Sequence, residues 1–180
     1  MNDASGRELV VLLDDNGRTV GTAEKEIVHS ESTPLHLAFS CHITDGEGRM
    51  IVTRRALSKR TWPGVWSNAC CGHPTLGEAI DDAVHRRVGE ELGASIKSLE
   101  LILPNFAYRA VDHSGIIENE RCPVFSAKLV GPLNPDPEEV IDWRWVEAKD
   151  LLAGVRSTPW AFSPWMVMQL ERMPLQGTQP

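Results

Sequence analysis

The sequence has no long apolar segment. Its longest apolar runs, such as Leu9 to Leu13, are far shorter than the ~20 residues that a membrane-spanning helix needs. The first residues, Met1 to Ser5, also lack a basic region followed by an apolar stretch, so no secretory signal is expected. We therefore predict a cytoplasmic protein with no membrane partner.

Positive charge is also in short supply. Lysine and arginine number 18 against 25 aspartates and glutamates, which gives a formal net charge of -7. Nucleic acids and anionic membranes attract clustered basic residues, so this balance argues against either as a general partner. A small anion needs only a local patch, and the densest one comprises Arg54, Arg55, Lys59 and Arg60. Such a run is usually a solvated surface cluster, and a phosphate site is the alternative.

Cysteine is sparse, since only Cys41, Cys70, Cys71 and Cys122 are present. Without a visible export signal, these residues are interpreted as free thiols in a reducing compartment. Repeats and low-complexity segments are absent. With 180 residues and 42% hydrophobic content, the chain is long enough for one good core and too short for two ordinary domains. We predict a single domain over residues 1–180, ordered over about 7–173, with a loose tail at residues 176–180.

Turn-forming residues divide the chain into short strands and a few helices. Asn16-Gly17 and Asp45 to Gly48 each favour a hairpin turn, whereas residues 54–77 are predicted to be irregular. Two short helices are expected near Lys149 and Trp165. Strands are expected at Leu9 to Leu13, Leu37 to Thr44, Met50 to Thr53, Ile96 to Leu103, Glu120 to Leu129 and Ile141 to Val146. This mixture predicts an α/β or α+β sandwich.

One predicted helix carries charges on its apolar face. The capping-box spacing of Thr75 and Glu78, together with Gly93, predicts a helix between these residues. At ~100° per residue, Arg87 and Glu91 fall in the middle of the apolar face. A buried charge is costly unless it is paired, hydrogen-bonded or bound to a metal. An ordinary Arg87–Glu91 ion pair is one explanation, and a functional site is the other.

Several side chains suited to metal binding and proton transfer occur at alternating positions. Cys71 and His73 are two residues apart, as are Glu118 and Glu120, so in extended chain each pair projects to one side. With His29 and His36, the chain offers three imidazoles and two carboxylates, a donor set suited to Mn²⁺, Mg²⁺ or Zn²⁺. Taken singly, each is more often a structural or surface residue.

The segment from Gly72 to Ala94 resembles the Nudix signature. Gly72, Glu78, Arg86, Glu90, Glu91 and Gly93 all match the loop-helix-loop pattern, which implies a Nudix-like mixed sheet flanked by helices, with the loop-helix-loop at residues 72–94. The departure is Arg87, which stands where Nudix pyrophosphohydrolases place a glutamate that holds catalytic Mg²⁺. A cation weakens such a metal cluster, although Glu91 could still hold one Mg²⁺ against a substrate diphosphate.

A second resemblance covers nearly the whole chain, from about Leu9 to Met168. The separated matches identify a likeness to the bacterial type I isopentenyl-diphosphate isomerases. They are the segments Leu35 to Ser40, Thr53 to Lys59, Trp62 to Trp66, Cys71 to Pro74, Tyr108 to Ala110, Glu118 to Glu120 and Trp160 to Met166. The implied activity is interconversion of isopentenyl diphosphate and dimethylallyl diphosphate in isoprenoid biosynthesis. The implied partners are these two small-molecule diphosphates. The oligomeric state is left open, and a monomer is compatible with the sequence.

The resemblance also implies a role for each matching residue. His29, His36, His73, Glu118 and Glu120 would hold a divalent metal, and Glu91 would bind a second Mg²⁺ together with the diphosphate. Cys71 and Glu120 would be the acid/base pair, with Tyr108 beside the glutamate. Trp165, and with it Trp66, would offer a π face to a carbocation, although an ordinary core aromatic is the alternative. Lys25, Arg55, Lys59 and Arg87 would bind substrate.

Two other functions compete with the isomerase. A Nudix hydrolase would cleave a diphosphate, but Arg87 argues against it. A metal-binding regulatory module would sense an isoprenoid diphosphate, but it would not need both Cys71 and Glu120 as an acid/base pair.

Overall fold

The computed structural model describes residues 8–173, so the predicted tail at residues 176–180 lies outside the described part of the chain. The strands are β1 Leu9–Leu13, β2 Thr19–Glu24, β3 His36–Leu37, β4 Phe39–Thr44, β5 Arg49–Arg55, β6 Trp66–Asn68, β7 Cys70–Gly72, β8 Ser95–Leu103, β9 Ala107–Val111, β10 Ile117–Arg121, β11 Val124–Val130 and β12 Val140–Glu147. The helices are α1 Lys25–Val28, α2 Ile80–Leu92, α3 Ala148–Ser157 and α4 Pro164–Leu170, with a short 3-10 helix at Pro159–Ala161. None of the described helices has the length and apolar character to cross a membrane.

The strands form two mixed sheets. The first has the order β2-β1-β3-β10-β9. The second has the order β12-β5-β4-β11-β8, with β6 paired to β5 and β7 paired to β4. Helices flank this arrangement, so the predicted α+β sandwich is confirmed.

Two neighbouring segments pass from the first sheet into the second. β3 and β10 pair in parallel in the first sheet, and β4 and β11 pair in parallel in the second. The crossing points are Ala38 on one segment and Cys122-Pro123 on the other, where Ala38 N–H donates to the Arg121 carbonyl at 3.0 Å. The prediction of single strands at Leu37 to Thr44 and Glu120 to Leu129 was therefore wrong. Pro123 has no N–H to continue a strand's pairing, which favours a break at that point.

Helix α2 packs on one face of the second sheet. Its buried apolar residues Ala83, Val84, Val88 and Leu92 belong to one hydrophobic core. The helix ends as predicted, with Gly93 in the left-handed conformation at φ 57°. The Glu78 carboxylate accepts from Thr75 N–H, as in a capping box, but the helix begins only at Ile80, because Gly77 at φ 81° interrupts the helical conformation.

The other face of the second sheet packs against α3 and α4. Leu151 and Val155 of α3 share a second core with Trp165 and Met166 of α4, confirming the two predicted C-terminal helices. The remaining short elements were missed: residues 54–77 were predicted to be irregular but include β6 and β7, and β9 and α1 were not expected. Strands of three residues are too short to show a period-2 pattern.

Candidate active site

One cavity of about 460 Å³ brings together residues from both sheets. This volume lies in the usual range of small-molecule sites. All of the predicted site residues line it except His36, which is completely buried. The residues in question are Lys25, His29, Arg55, Lys59, Cys71, His73, Arg87, Glu91, Tyr108, Glu118, Glu120 and Trp165.

Three imidazoles and one carboxylate form a cluster beside this cavity. Potential ligand atoms of His29, His36, His73 and Glu120 all lie within 4.8 Å of one another. The imidazole ring centroids are 5.1 to 5.8 Å apart, and all four residues are buried. Glu118 adjoins the cluster, since its Oε2 lies 2.9 Å from His29 Nε2.

The hydrogen bonds of this cluster fit a metal site. His36 Nδ1 lies 3.0 Å from the Pro34 carbonyl, so it carries the proton and leaves the Nε2 lone pair facing the cluster. His29 Nε2, His36 Nε2, His73 Nδ1 and Glu118 Oε2 are buried, and none makes a hydrogen bond of normal geometry to a described residue, although His29 Nε2 and Glu118 Oε2 lie 2.9 Å apart. Buried polar atoms are rarely left without partners, and a nitrogen-oxygen donor set suits a divalent ion. The residues present therefore fit a metal ion.

Glu120 is the most strongly perturbed carboxylate of the cluster. Its Oε1 lies 3.3 Å from His73 Nε2 and 3.5 Å from His36 Nε2. Burial alone would raise the pKa of Glu120, but the adjacent imidazoles of His36 and His73 hold this pKa well below its usual value. The neighbouring Glu118 accepts a 2.9 Å hydrogen bond from Thr61 Oγ1. Both carboxylates project from β10 to the same side, as their spacing predicted.

Cys71 lies on the opposite sheet from Glu120. Its Sγ contacts Ser40 Oγ at 3.3 Å and the amide of Asn68 at 3.2 to 3.3 Å. Burial raises the pKa of the Cys71 thiol to about 12. The preceding residue, Cys70, packs in the core beneath α2, so the two adjacent cysteines project in opposite directions, as extended chain requires.

An aromatic group closes one side of the cavity. The Trp165 ring contacts Tyr108 at 5.8 Å and Trp62 at 5.5 Å between centroids, and its Nε1–H donates to Asn68 Oδ1 at 2.9 Å. The Arg55 guanidinium lies 5.4 Å from the Trp165 centroid. Trp66, the second aromatic residue predicted to offer a π face to a carbocation, does not line the described cavity.

Three of the four predicted substrate-binding cations are paired with carboxylates, whereas Arg55 donates to the carbonyls of Thr61 and Trp62. Lys25 Nζ lies 2.9 Å from Glu8, Lys59 contacts Glu139, and Arg87 contacts both Glu91 and Glu139. Of the basic run, Arg60 lines the cavity, whereas Arg54 is exposed and donates to the Gly64 carbonyl.

Sequence reasoning missed several residues that support the site. Glu139 binds two of the cations, Thr61 binds Glu118, and Ser40 and Asn68 contact Cys71. Glu139 follows a proline-rich loop and carried no motif of its own. Only its neighbours in space, 52 and 80 residues away in sequence, reveal its role.

Comparisons with known proteins identify the family of this chain. A family model described as NUDIX domain matches residues 34–166. A protein from Leifsonia xyli subsp. xyli named isopentenyl-diphosphate Delta-isomerase is 55% identical, over 97% of this chain and 96% of its own length. A protein of the same name from Clavibacter sepedonicus is 58% identical, over 91% of this chain and 86% of its own length. The chain belongs to the Nudix isopentenyl-diphosphate Delta-isomerases.

Solved structures of more distant proteins share the fold of this Nudix isomerase. A crystal structure from Deinococcus radiodurans has a TM-score of 0.72 at 16% identity, covering 93% of this chain and 99% of the other. A MutT NUDIX hydrolase from Burkholderia pseudomallei has a TM-score of 0.60 at 21% identity, covering 76% and 96%. At such identities these matches show a shared fold alone. The isomerase relatives favour the isomerase over the hydrolase alternative.

Proposed function

We propose that the chain interconverts isopentenyl diphosphate and dimethylallyl diphosphate, with Cys71 and Glu120 as the acid/base pair. The observation that carries this proposal is that the two side chains line one cavity from different sheets. The names of the relatives supply the substrate. The same cavity offers both cations for a diphosphate and aromatic surface for a hydrocarbon.

The chemistry requires one proton donor and one proton acceptor. Isopentenyl diphosphate has no acidic C–H bond and no carbonyl to polarise, so the alkene is protonated and a proton is then lost from a different carbon. A tertiary carbocation-like state lies between these steps. A thiol and a carboxylate can exchange these roles in the two directions of a reversible reaction. Water must be excluded because it would capture the cation, and Cys71, Glu120 and Tyr108 all lie in a largely buried part of the cavity.

Trp165 is proposed to stabilise the developing positive charge. It is 3% exposed and lines the cavity beside Tyr108. A desolvated π face can contribute ~2 kcal/mol to the stabilisation of a cation. The phenol of Tyr108 stays protonated, because burial and the nearby Glu120 and Glu118 raise its pKa well above the usual value. Tyr108 can therefore donate a hydrogen bond on the carboxylate side.

His29, His36, His73, Glu118 and Glu120 would hold a divalent ion, which we propose to be Mg²⁺ or Mn²⁺, with Zn²⁺ as the third choice. When bound, such an ion increases the acidity of a group that it coordinates or that hydrogen-bonds to its ligands. Glu91 would hold a second Mg²⁺ together with the substrate diphosphate.

Lys25, Arg55, Lys59 and Arg87 are proposed to bind the diphosphate. Charge-assisted hydrogen bonds from such groups are stronger than neutral ones. In the structure, Lys25, Lys59 and Arg87 are paired with carboxylates, so binding of diphosphate exchanges one anionic partner for another.

We also propose that the chain works as a single-domain monomer in the cytoplasm. Support for a reducing compartment comes from the cysteines, all four of which are unpaired.

A product assay tests the proposed reaction. The protein is incubated with isopentenyl diphosphate and Mg²⁺, and both dimethylallyl diphosphate and inorganic phosphate are measured. Formation of dimethylallyl diphosphate without phosphate is the expected result. Phosphate release without the isomer would overturn the proposal in favour of a Nudix hydrolase.

A further inference from the structure

A line of buried polar side chains runs behind Cys71, away from the cavity. Ser40 Oγ lies 3.3 Å from Cys71 Sγ and accepts a 2.9 Å hydrogen bond from Gln169 Nε2. Gln169 Oε1 in turn lies 2.9 Å from His42 Nε2. The side chains of Ser40, His42 and Gln169 are at most 1% exposed, so water does not compete for these contacts.

The contacts of Ser40 determine where its hydroxyl proton points. Because Gln169 already donates to Ser40 Oγ, the hydroxyl hydrogen is free to be donated elsewhere. The described acceptors within reach are two sulfurs, Cys71 Sγ at 3.3 Å and Cys122 Sγ at 3.4 Å. The Ser40 hydroxyl therefore has a hydrogen to donate to one of these sulfurs, and Cys71 Sγ is the nearer of the two.

Asn68 meets the same sulfur with a well-defined orientation. Its Nδ2 donates to the carbonyl oxygens of Cys41 and Cys70, at 3.2 and 2.8 Å, and these atoms can only accept. Its Oδ1 therefore faces the indole N–H of Trp165 at 2.9 Å and the Cys71 thiol at 3.3 Å. The sulfur thus has an acceptor in Asn68 Oδ1 and two neighbouring donors, Asn68 Nδ2 at 3.2 Å and the Ser40 hydroxyl at 3.3 Å.

We propose that Ser40 is a positioning residue for the isomerisation, acting through the sulfur of Cys71. Its hydroxyl, oriented by Gln169, holds Sγ against the cavity wall and remains a donor to that sulfur whether or not the proton has been transferred. Asn68 supports the sulfur on its other side. This inference rests on the proposed role of Cys71 in proton transfer.

The test compares Ser40→Ala with two matched variants. Ser40→Ala should lower kcat by about tenfold to a hundredfold, the scale for loss of one hydrogen bond to a charged or reacting group. The KM for isopentenyl diphosphate and the Kd for inorganic diphosphate should not change, because the cations lie elsewhere in the cavity. Ser40→Thr keeps the hydroxyl and should retain most of kcat, although its extra methyl lowers stability. Cys41→Ala, one residue along β4 with its side chain in the other core, should leave kcat unchanged.

Each outcome decides the inference. A Ser40→Ala kcat within about twofold of the parent overturns it, as does an equal loss in Cys41→Ala or in folded Ser40→Thr. If Ser40→Thr does not fold, Ser40→Cys replaces it: this weak donor of similar shape should give reduced kcat, and a full kcat overturns the inference. Cys71→Ala is measured in parallel. If it retains turnover, the proposed role of Cys71 fails and the inference fails with it. If it is inactive while Ser40→Ala is fully active, only the inference about Ser40 fails.

Discussion

Arg87 and Glu91 lie one helical turn apart on α2 and form a buried ion pair that is also part of the cavity wall. The sequence left two explanations for these charges, an ordinary pair or a functional site; the structure shows the pair, and both residues line the cavity. Burial raises the pKa of Glu91 despite the nearby Arg87. Glu90 and Glu139 contact the same guanidinium, so Arg87 balances three carboxylates. In the Nudix signature, its position belongs to a carboxylate.

Arg87→Glu therefore separates the isomerase from a hydrolase. The change adds a carboxylate beside Glu90, Glu91 and Glu139 and removes a cation from the proposed diphosphate site. We expect a higher KM and at least a tenfold loss of kcat/KM for isomerisation, with no new phosphate release. Steady-state kinetics with detection of both products measures the effect.

Arg87→Gln is the control for this experiment, because it removes the cation without adding an anion. It should weaken binding less than Arg87→Glu. Breaking a buried ion pair typically costs about 3 to 5 kcal/mol, so melting curves must show that both variants are folded. A folded Arg87→Glu protein that gains diphosphatase activity would contradict the isomerase assignment if its parent also forms no dimethylallyl diphosphate.

Removal of either proton-transfer group should abolish turnover without abolishing binding. Cys71→Ala and Glu120→Gln are each expected to lose at least ~10² in kcat, the scale of general acid-base catalysis. Cys70→Ala is the matched control, since this side chain lies in the core beneath α2 and should be nearly silent in kcat. Near-normal turnover of Cys71→Ala would remove this cysteine from the mechanism.

Metal binding should be linked to stability. The histidines and carboxylates of the cluster come from separate segments and converge only when the chain folds. Chelation should therefore lower the thermal midpoint by roughly 5 to 10 °C and reduce activity, and Mn²⁺, Mg²⁺ or Zn²⁺ should restore both. Calorimetry on His36→Ala should show no further effect of chelator, whereas the exposed His113→Ala should respond like the parent. Full activity of exhaustively chelated protein in chelator would refute the metal mechanism.

His42 should contribute a measurable pH dependence of stability. Burial lowers the pKa of its imidazole from 6.5 to about 4, so the unfolded chain binds a proton between these values that the folded chain does not. Stability from this group is present above pH 6.5 and is lost as pH falls towards 4, by about 3 kcal/mol. Urea unfolding should show that the difference in unfolding free energy between the parent and His42→Gln narrows as pH falls from 6.5 to 4. A constant difference would show that His42 is not held neutral.

The sequence predicted those elements whose signals are local. Gly93 ends α2 because it can adopt the left-handed conformation, and Asn16-Gly17 turns the first hairpin, with Gly17 at φ 77°. The site residues were predicted because they match separated motifs of a known family, and the structure places them around one cavity and its adjoining cluster. Their individual roles remain predictions.

Features that depend on contacts between residues distant in sequence could not be predicted from local sequence signals. β6 and β7 are held by pairing with β5 and β4, and their three-residue spans show no periodicity. Glu139 and Thr61 acquire their roles from side chains opposite them in the folded chain. A glutamate or threonine at a loop or strand end gives no sequence signal for such a partner.

The segments that cross between the sheets connect the two proposed proton-transfer groups. Glu120 belongs to the first sheet and Cys71 to the second, and the chain passes directly between these sheets at Ala38, at residues 104–106 and at Cys122-Pro123. We therefore expect the distance between these two side chains to depend on how the first sheet packs against the second. We expect a substitution at such a crossing point to change the distance between Cys71 and Glu120 without altering either side chain. The backbone connections of the fold would then help to set the geometry of proton transfer.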